Sequence, residues 1–422
     1  MRNFYSIILH LLAPIVLVRL WIRSPEHRKS IRERFRQGNF FLPSGKVFWI
    51  HAVSFGEVQA ARPLIQELRK RWPDICLLVT TTTATGAVQV QNTLVGAYGV
   101  VHSYAPYDLL RVVNRFLDRV SPQVLVLMET ELWPNLIFAC KERGIPVVLA
   151  NARLSEKSAR GYRRFRSLTQ ETIRNLHLIA AQSQADADRF ISLGAFRDQV
   201  QITGNLKFDL DTPKDAVERA KVFRQQIGQD RPVWIAASTH EGEEEIVLAA
   251  HLEVRQHIPD ALLILVPRHP ERFSRVLSLC RDFPTVSWSE SLVPAKECAV
   301  YLGDTMGQLP FFYTISDVAF VGGSLVLVGG HNPLEAAAVG KPVLLGPHCF
   351  NFNEITHLLH EAGAAKTVQK VSDLASILVE WLQDLALRNE IGNRGQRVVE
   401  ANRGALKNLL TFLEKTVLPR ND

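Results

Sequence analysis

The chain has 422 residues, which is more than one hydrophobic core usually serves, and its length therefore predicts two domains. Its 47% hydrophobic and 22% charged residues are typical of a globular protein and exclude a disordered or fibrous chain. The formal net charge of +7 is concentrated at the amino terminus, where residues 1–36 contain eight Arg or Lys and only two Glu residues. Because the remaining sequence is nearly neutral, no nucleic-acid-binding surface is expected.

Residues 4–18 form an apolar stretch that is followed by a basic block beginning at Arg19. A spanning helix needs about 20 apolar residues, so this stretch is borderline between a membrane span and a helix in the membrane interface. No small-x-small cleavage site follows it, and the basic block places the rest of the chain on the cytoplasmic side of the membrane. Residues 1–36 are therefore interpreted as a membrane anchor with a basic juxtamembrane segment, and a buried core helix is the alternative.

From residue 46 onward, short apolar and β-branched runs alternate with longer amphipathic stretches, as in doubly wound α/β proteins. Buried parallel strands are predicted at residues 46–53, 76–82, 100–106, 124–129, 146–152, 178–183 and 200–204, and again at 233–238, 261–267, 299–304, 318–324 and 342–347. A dozen strands are more than one open sheet comfortably holds. We therefore predict two Rossmann-like domains, residues 37–211 and 231–390, joined by a polar seam, with a helix in 391–422 packing back on the first.

The five cysteines are widely spaced and include no C-x-x-C pair. This spacing indicates neither a disulfide framework nor a zinc site. Most of them lie in apolar runs, which favours packed, reduced thiols in a reducing compartment.

Acidic residues follow two predicted strands of the first half. Gly56 permits a tight turn that leaves Glu57 in the first turn of a helix, at the carboxyl edge of the sheet where α/β proteins bind ligands. Glu129 and Glu131 end the strand 124–129, where burying two acids is costly unless the protein uses them. The simpler alternatives are a helix-dipole acid at Glu57 and a solvated loop at the other two.

Basic residues are concentrated in residues 151–167, which contain six Arg or Lys against one Glu. Such a run is usually a solvated helix face. Beside an anchored amino terminus it could instead bind the phosphates of a lipid headgroup, because guanidinium and phosphate pair through two hydrogen bonds. Lys207 ends another strand near the seam and is a candidate for stabilising negative charge there.

In the second half, candidate phosphate-binding groups again follow strands. Arg268 and His269 come directly after the strand 261–267. The segment STHEGEE (238–244) is interpreted as a capping box with Ser238 as the helix cap, and it lacks the second His of a zinc motif. Asn332 can cap a helix that begins at Pro333, yet a glycine-rich approach to a helix N-terminus is also a ready anion site.

Taken together, these segments closely resemble the 3-deoxy-D-manno-octulosonic acid (Kdo) transferases of Gram-negative lipopolysaccharide assembly. The matching stretches between residues 51 and 352 are, in order, HAVSFGE, METELWPNL, NARLSEKSARGY, TGNLKFD, STHEGEE, LVPRHPERF, LGDTMGQL, FVGGSLV, GGHNPLEAAA and LLGPHCFNF. The resemblance implies a GT-B fold, in which two Rossmann-like domains enclose a cleft. It also implies a metal-independent, inverting transfer of Kdo from CMP-Kdo to lipid IVA, the lipid A precursor, at the inner membrane.

By position in these motifs, the resemblance implies that Glu57 is the proton acceptor and that Glu129 and Lys207 stabilise the transition state. The implied CMP-binding residues are Pro267, Arg268, Met306, Gly307, Gln308, Asn332, Pro333, Leu334 and Glu335. The basic residues that would contact acceptor phosphates are Arg153, Lys157, Arg160 and Arg163. Many relatives have Glu where this chain has Gln308, so a contact that depends on charge there would be altered. The implied partners are CMP-Kdo, lipid IVA and inner-membrane lipids, without a metal, a cofactor or nucleic acid.

Two other interpretations are weighed against this one. Another GT-B enzyme, such as a nucleotide-sugar 2-epimerase or an N-acetylglucosaminyltransferase, would use a uridine donor and would not need METELWPNL or NARLSEKSARGY. A non-catalytic membrane lipid-binding protein would not need to keep both Glu57 and the segment 332–335.

Overall fold

The structure, a computed structural model, describes residues 2–23, 31, 33–35, 45–209 and 214–416. The chain divides into two units, Met1–Asp209 together with Arg403–Asp422, and Leu210–Asn402. Most of the basic juxtamembrane block and the first residues of the predicted seam, 211–213, lie outside the described residues.

The first unit is built on a parallel sheet of seven strands. These are β1 Val47–His51, β2 Cys76–Thr81, β3 Val101–Tyr104, β4 Val124–Met128, β5 Val147–Ala152, β6 Leu178–Ala181 and β7 Val200–Ile202. Their order is β3-β2-β1-β4-β5-β6-β7, so the chain starts at the centre, builds one side and then crosses to the other. Such an order opens a crevice between β1 and β4 at the carboxyl ends of the strands.

Helices connect these strands. They are α1 Arg2–Arg23, α2 Phe55–Arg71, α3 Ala84–Val90, α4 Gly96–Tyr98, α5 Leu110–Val120, α6 Pro134–Glu142, α7 Glu156–Arg163, α8 Arg166–Arg174 and α9 Gln184–Ser192, with α18 Ala405–Thr416 from the end of the chain. A π-helical turn covers Gln91–Val95, and 3₁₀ turns cover Arg197–Gln199 and Leu206–Phe208. Residues 31 and 33–35 are also helical.

The core of the first unit lies on both faces of its sheet, because successive residues of a strand point to opposite sides. Phe48 and Ile50 of β1 pack on the face covered by α2 and α18, where Leu409 is fully buried. Trp49 points to the other face and packs on Phe116 of α5, with ring centroids 4.8 Å apart. The inner strands β1, β2, β4, β5 and β6 are thus buried on two sides, which explains why their sequences are continuous apolar runs, whereas the edge strands β3 and β7 are only partly buried.

The second unit repeats the design with a separate parallel sheet. Its strands are β8 Val233–Thr239, β9 Leu262–Pro267, β10 Thr285–Ser287, β11 Val300–Leu302, β12 Val318–Val321, β13 Val343–Leu345 and β14 Ala365–Thr367. Their order is β10-β11-β9-β8-β12-β13-β14, which places the crevice between β8 and β12. The predicted α/β class, with two doubly wound Rossmann-like units, is confirmed.

The helices of the second unit are α10 Lys214–Ile227, α11 Glu244–His257, α12 Phe273–Leu279, α13 Leu309–Ile315, α14 Leu334–Ala338, α15 Asn353–Glu361, α16 Val371–Gln383 and α17 Leu385–Ala401. Two 3₁₀ turns, Pro270–Arg272 and Cys280–Asp282, flank α12. All five cysteines of the chain are buried.

The observed boundaries differ from the predicted ones. Helix α10, which the prediction left in the seam, belongs to the second unit, where Phe223 packs its ring edge-on against Phe311 at 5.4 Å. Residues 391–402 also stay with the second unit, and only Arg403 onward joins the first. The reason lies in α17, where a Cβ added to Gly392 would come within 1.9 Å of the Gly340 carbonyl oxygen. Only glycine allows this close helix packing.

Two local predictions are wrong. Ser238 does not cap a helix, because β8 continues to Thr239 with a bulge at Ser238, whose φ is +58°. Gly56 is not needed for a tight turn, since it lies inside α2 and an added Cβ would meet no atom within 4 Å. The short edge strands β10 and β14 were missed, because three-residue strands carry too little apolar pattern.

Helix α1 contacts the first unit through polar side chains. Tyr5 donates a 2.9 Å hydrogen bond to Asp108, and Ser6 donates a 2.6 Å bond to Asn135. The exposed apolar side chains of the helix recur every three or four residues: Phe4, Ile7, Ile8, Leu11, Leu12, Ile15 and Val18. They share one face, so α1 is not the buried core helix of the alternative interpretation. In the described part of the chain, no helix combines the length and apolarity needed to cross a membrane.

Candidate active site

Glu57 lies at the carboxyl edge of the first sheet, in the first turn of α2 directly after β1. Its side chain is only 8% exposed. Oε2 accepts a 2.8 Å hydrogen bond from the Val53 backbone N–H, and Oε1 accepts a 2.9 Å bond from the Ser54 hydroxyl. The carboxyl group is therefore held in one orientation at the crevice beside β1.

The protonation of Glu57 is set by its surroundings. The pKa of Glu57 is raised to about 8, mainly by burial and also by the charges of Glu129 and Glu131, against the lowering effect of the Val53 hydrogen bond. A carboxyl with a pKa near the working pH is suited to accept a proton, because it combines basicity with a sufficient ionised fraction. The simpler interpretation, a solvated acid that only complements the helix dipole, does not account for this burial.

Glu129 follows β4, on the other side of the same crevice. Its φ of +57° is in the left-handed region, which non-glycine residues adopt rarely and which is often found at functional sites. Its Oε1 lies 3.3 Å from Nζ of Lys207, and both side chains are less than a fifth exposed. The predicted pair of transition-state stabilisers is thus in direct contact.

The position of Lys207 depends on two asparagines that the sequence analysis did not single out. Lys207 lies in the 3₁₀ turn Leu206–Phe208, where the Asn205 side chain accepts a 3.0 Å hydrogen bond from the Lys207 N–H. Asn151, which lies near the end of β5 and also has a positive φ, accepts a 3.0 Å hydrogen bond from the Leu206 N–H. The end of β5 therefore fixes the turn that presents Lys207 to Glu129.

Glu131 is not a solvated loop residue. Its Oε2 accepts a 2.6 Å hydrogen bond from the Trp133 indole N–H. Burial raises the pKa of Glu131, the Trp133 hydrogen bond opposes this, and the Glu129 charge adds to it. Three carboxyl groups are therefore collected at this crevice.

The predicted acceptor-contacting basic residues lie on an exposed surface. Helix α7 follows β5 and begins at the same edge of the sheet as Glu57. Four residues at or before this helix are exposed, namely Arg153, Lys157, Arg160 and Arg163. Arg163 forms a 2.6 Å ion pair with Glu156. This surface therefore carries a net positive charge at the carboxyl edge of the first sheet, where Glu57 lies.

In the second unit, the predicted CMP-binding residues also follow strands at the carboxyl edge. Pro267 ends β9, and Arg268 comes next with its backbone N–H bonded to the Thr239 carbonyl over 3.0 Å. Burial lowers the pKa of Arg268, and the charge of Glu335 opposes this shift. The structure thus brings Arg268 and Glu335, 67 positions apart, into electrostatic contact.

The other predicted CMP contacts lie in loops after β11 and β12. Met306 is exposed, Gly307 has a φ of +81°, and Gln308 accepts a 3.1 Å hydrogen bond from Arg219. Asn332 accepts the Leu334 N–H over 3.1 Å, but the helix begins at Leu334 and its N-cap is Pro333, one residue later than the capping interpretation predicts. Pro333 precedes α14, which has only five residues, so the side chains there matter more than a helix dipole.

Three histidines lie beside Arg268, and the sequence analysis missed this arrangement. The Nε2 atoms of His240 and His331 are 2.8 Å apart, and the His269 ring packs edge-on against His240 with centroids at 5.3 Å. One Nε2 must therefore carry a hydrogen and donate a hydrogen bond to the other, unprotonated Nε2. Burial lowers the pKa of His240 to about 4 and that of His331 to about 3, so both rings are neutral at pH 7.

Glu243 holds the loops around these histidines, and it too was missed. This fully buried carboxylate accepts backbone N–H bonds of 2.7–3.1 Å from His240, Gly323, Ser324 and Leu325. It joins the turn after β8 to the turn after β12. The described residues contain no group of three or more His, Cys, Asp or Glu side chains arranged to hold a metal ion.

The fold has known counterparts. UDP-GlcNAc 2-epimerase from Neisseria meningitidis bound to UDP-GlcNAc matches with a TM-score of 0.55, over 88% of this chain and 100% of that chain, at 16% identity. At this identity the match shows the fold alone, and it agrees with the predicted GT-B-like class.

Sequence relatives are more specific. Residues 29–210 match the family described as 3-Deoxy-D-manno-octulosonic-acid transferase (kdotransferase). The 3-deoxy-D-manno-octulosonic acid transferase of Haemophilus influenzae is 42% identical over 427 residues, covering 100% of this chain and 99% of the relative. That of Bordetella pertussis is 33% identical over 429 residues, covering 98% and 99%. With relatives this similar over their full length, the chain belongs to the 3-deoxy-D-manno-octulosonic acid transferases, a family of glycosyltransferases, as its motifs predict.

Proposed function

We propose that this chain transfers Kdo from CMP-Kdo to a hydroxyl group of lipid IVA during lipopolysaccharide assembly. The observation that carries the proposal is the geometry of Glu57, a buried and oriented carboxyl group at the crevice of the first sheet in a member of this family. Burial raises its pKa to about 8, which suits a group that must accept a proton.

In the proposed reaction, the ionised Glu57 takes the proton of the acceptor hydroxyl as its oxygen attacks the anomeric carbon of Kdo. The bond between that carbon and the phosphate oxygen breaks, and CMP leaves with the bonding electron pair. Attack opposite to the leaving group inverts the configuration. Glu57 ends protonated and must release this proton before the next turnover.

Glu129 and Lys207 are proposed to stabilise the transition state. Positive charge develops on the sugar ring as the bond to phosphate breaks, and negative charge develops on the departing phosphate. Glu129 and Lys207 are mostly buried and 3.3 Å apart. The carboxylate can stabilise the positive charge on the sugar ring, and the ammonium can stabilise the negative charge on the phosphate. Since their orientation is fixed by the surrounding turns, little reorganisation is needed during the reaction.

The second unit is proposed to bind the CMP part of the donor. Arg268 supplies positive charge for the phosphate, and the carboxylate of Glu335 is suited to accept hydrogen bonds from ribose hydroxyls. Met306, Gly307 and Gln308 after β11, with Asn332, Pro333 and Leu334 after β12, complete the proposed site.

The acceptor is proposed to bind the first unit. The exposed basic residues Arg153, Lys157, Arg160 and Arg163 can pair with its two phosphates. The apolar face of α1, in which Leu11 is 70% and Ile15 67% exposed, is proposed to lie in the membrane interface. With the basic block after it, this face would hold the protein on the cytoplasmic side of the inner membrane.

The reaction is proposed to be independent of metal ions, because side-chain cations such as Arg268 and Lys207 offer the charge that the phosphate requires. Turnover that is unchanged after treatment with EDTA would support this point. Loss of turnover that is restored by a divalent cation would contradict it.

The experiment that tests the proposed function is incubation of the purified chain with CMP-Kdo and lipid IVA, followed by mass spectrometry of the lipid. The expected product is lipid IVA enlarged by Kdo, with release of CMP. A parallel reaction with UDP-GlcNAc tests the epimerase and N-acetylglucosaminyltransferase alternatives. Consumption of UDP-GlcNAc without any Kdo-lipid product would overturn the proposal.

A further inference from the structure

Arg34 is a buried cation in the first unit. Its exposed fraction is 5%, and its guanidinium carbon lies 5.5 Å from the ring centroid of Tyr104 and 4.9 Å from that of Tyr107. Phe35 packs on Tyr107 as well, with ring centroids 5.4 Å apart. Burying a guanidinium is costly unless its charge and N–H groups are used, so its contacts indicate what it serves.

One of those contacts leads to Glu57. Arg34 Nη2 donates to the carbonyl oxygen of Thr82, immediately after β2. The N–H of the same peptide unit, which belongs to Thr83, donates a 3.0 Å hydrogen bond to the Val53 carbonyl oxygen. The Thr82 N–H donates to that oxygen as well, also over 3.0 Å. Val53 in turn donates its own N–H to Oε2 of Glu57 over 2.8 Å.

These bonds form a connected chain from a cation to the carboxyl group. A positive charge on the Thr82 carbonyl polarises its peptide and strengthens the Thr83 N–H as a donor. Val53 is therefore anchored through its carbonyl while its N–H orients Glu57. Among the described residues, Val53 is the only backbone donor to the Glu57 carboxyl group. A small movement of Val53 therefore changes both the position and the pKa of Glu57.

We propose that Arg34 is a positioning residue for Glu57, acting through the Thr82–Thr83 peptide and Val53 to hold the carboxyl group in its reactive orientation. The inference rests on the proposed role of Glu57 as the proton acceptor. Arg34 lies between α1 and β1 in the sequence, so this role would connect a residue outside the sheet to the reaction.

The alternative is that Arg34 only docks its own segment, and a pH profile separates the two. The Val53 hydrogen bond lowers the pKa of Glu57, so weakening that bond raises it. Arg34→Met should therefore move the acidic limb of the kcat/KM profile to higher pH. The other ionisable groups around this edge are Glu129, Glu131, Lys207, His51 and His102, none of which contacts the Thr82–Thr83 peptide by a described hydrogen bond. Burial lowers the pKa of His51 to about 3 and that of the half-buried His102 to about 4, so both rings are neutral at pH 7.

The test uses the full chain, with CMP release measured against pH for Arg34→Met, Arg34→Lys, Glu57→Gln and the double variants. We expect Arg34→Met to lower kcat about tenfold with KM values changed less than about threefold, a split that indicates a transition-state effect. Arg34→Lys keeps one donor for the Thr82 carbonyl and should restore part of the rate. In the Glu57→Gln background, Arg34→Met should cost less than about twofold more, since the group it positions is gone.

Arg69→Met is the matched control. Arg69 also donates to backbone carbonyls, those of Pro73, Ile75 and Tyr98, but it lies near the far end of α2, about 18 Å from Glu57 along the helix. It should lower the melting temperature without moving the acidic limb. If Arg34→Met lowers kcat equally in both backgrounds, or leaves the acidic limb in place, Arg34 is only structural.

Two further results keep the test decisive. If Arg34→Met fails to fold, the Arg34→Lys and Glu57→Gln pair is analysed in the same way, and an intermediate shift of the acidic limb is expected. Should Glu57→Gln itself keep normal turnover, the proposed base is wrong, and that failure is visible without any Arg34 variant.

Discussion

Nζ of Lys207 lies 3.3 Å from Oε1 of Glu129, although 78 positions separate the two residues in the chain. The ion pair closes one side of a crevice whose other side carries Glu57. Its negative member, Glu129, raises the pKa of Glu57. The predicted stabiliser Glu129 therefore also tunes the predicted base.

Glu129→Gln should move the acidic limb of kcat/KM to lower pH. The substitution removes a negative charge that raises the pKa of Glu57, so Glu57 ionises more easily. Turnover should fall at the same time, because a transition-state stabiliser is lost. Glu131→Gln should give a smaller shift in the same direction, and Glu67→Gln, which removes a surface ion pair near the other end of α2, should give none. An acidic limb that moves upward would contradict this electrostatic coupling.

The edge of each sheet could be predicted from the sequence, but the contacts across it could not. Buried parallel strands are apolar runs, so the sequence predicts where each strand ends. It thereby also predicts which residues follow the strands at this edge, namely Glu57, Glu129, Lys207 and Arg268. Which of these residues meet depends on strand order, since β4 lies beside β1 only because the chain crosses the sheet. No local pattern encodes that crossing.

Residues that fix the loops around the proposed CMP site are harder to predict from the sequence than the residues proposed to bind CMP. His240 and His331 share a hydrogen bond across 91 positions, and each has a simpler local interpretation in its own segment. Glu243 lies in the segment 238–244, whose pattern predicts a helix start, yet its carboxylate accepts hydrogen bonds from four backbone N–H groups. The bulge at Ser238 moved the helix start to Glu244, and a backbone irregularity of this kind leaves no clear mark in the sequence.

Arg268→Ala and Glu335→Ala should weaken CMP binding by about tenfold or more each, because hydrogen bonds to charged groups contribute roughly 1.5–3 kcal/mol. Calorimetry with CMP measures this directly. Arg275→Ala removes an exposed ion pair on α12 and should leave the affinity unchanged. Glu57→Gln should also leave it unchanged. Equal weakening by Arg268→Ala and Glu57→Gln would mean that donor and acceptor functions are not divided as proposed.

Leu11→Glu combined with Ile15→Glu should release the protein from vesicles that contain anionic lipid. Both side chains are exposed on the apolar face of α1, and a charge there opposes burial in the membrane interface. The remaining basic residues should still give weak binding that salt removes. Val88→Glu, at another exposed apolar position of the first unit, is the control for added charge. Undiminished co-sedimentation of the double variant would rule out α1 as the anchor.

Glu57→Gln should become more stable relative to the wild type as pH rises from about 4.5 to about 8. In this window the unfolded wild type has lost the Glu57 proton while the folded protein retains it, so the free energy of unfolding falls with pH. Gln cannot ionise and escapes this loss, which amounts to at most about 1.4 kcal/mol per pH unit. Denaturant titrations of both proteins at several pH values measure the difference. A difference that is constant with pH would show that the pKa of Glu57 is not raised by folding.

The most direct test of the account is the turnover of Glu57→Gln with CMP-Kdo and lipid IVA, measured beside its calorimetric affinity for CMP and its melting temperature. Loss of a general base lowers the rate by about 10²–10⁴-fold. We expect a fall of that size in kcat, with CMP affinity unchanged and the fold intact. A folded variant that keeps more than about a third of the wild-type kcat would remove Glu57 from the mechanism and contradict the central claim.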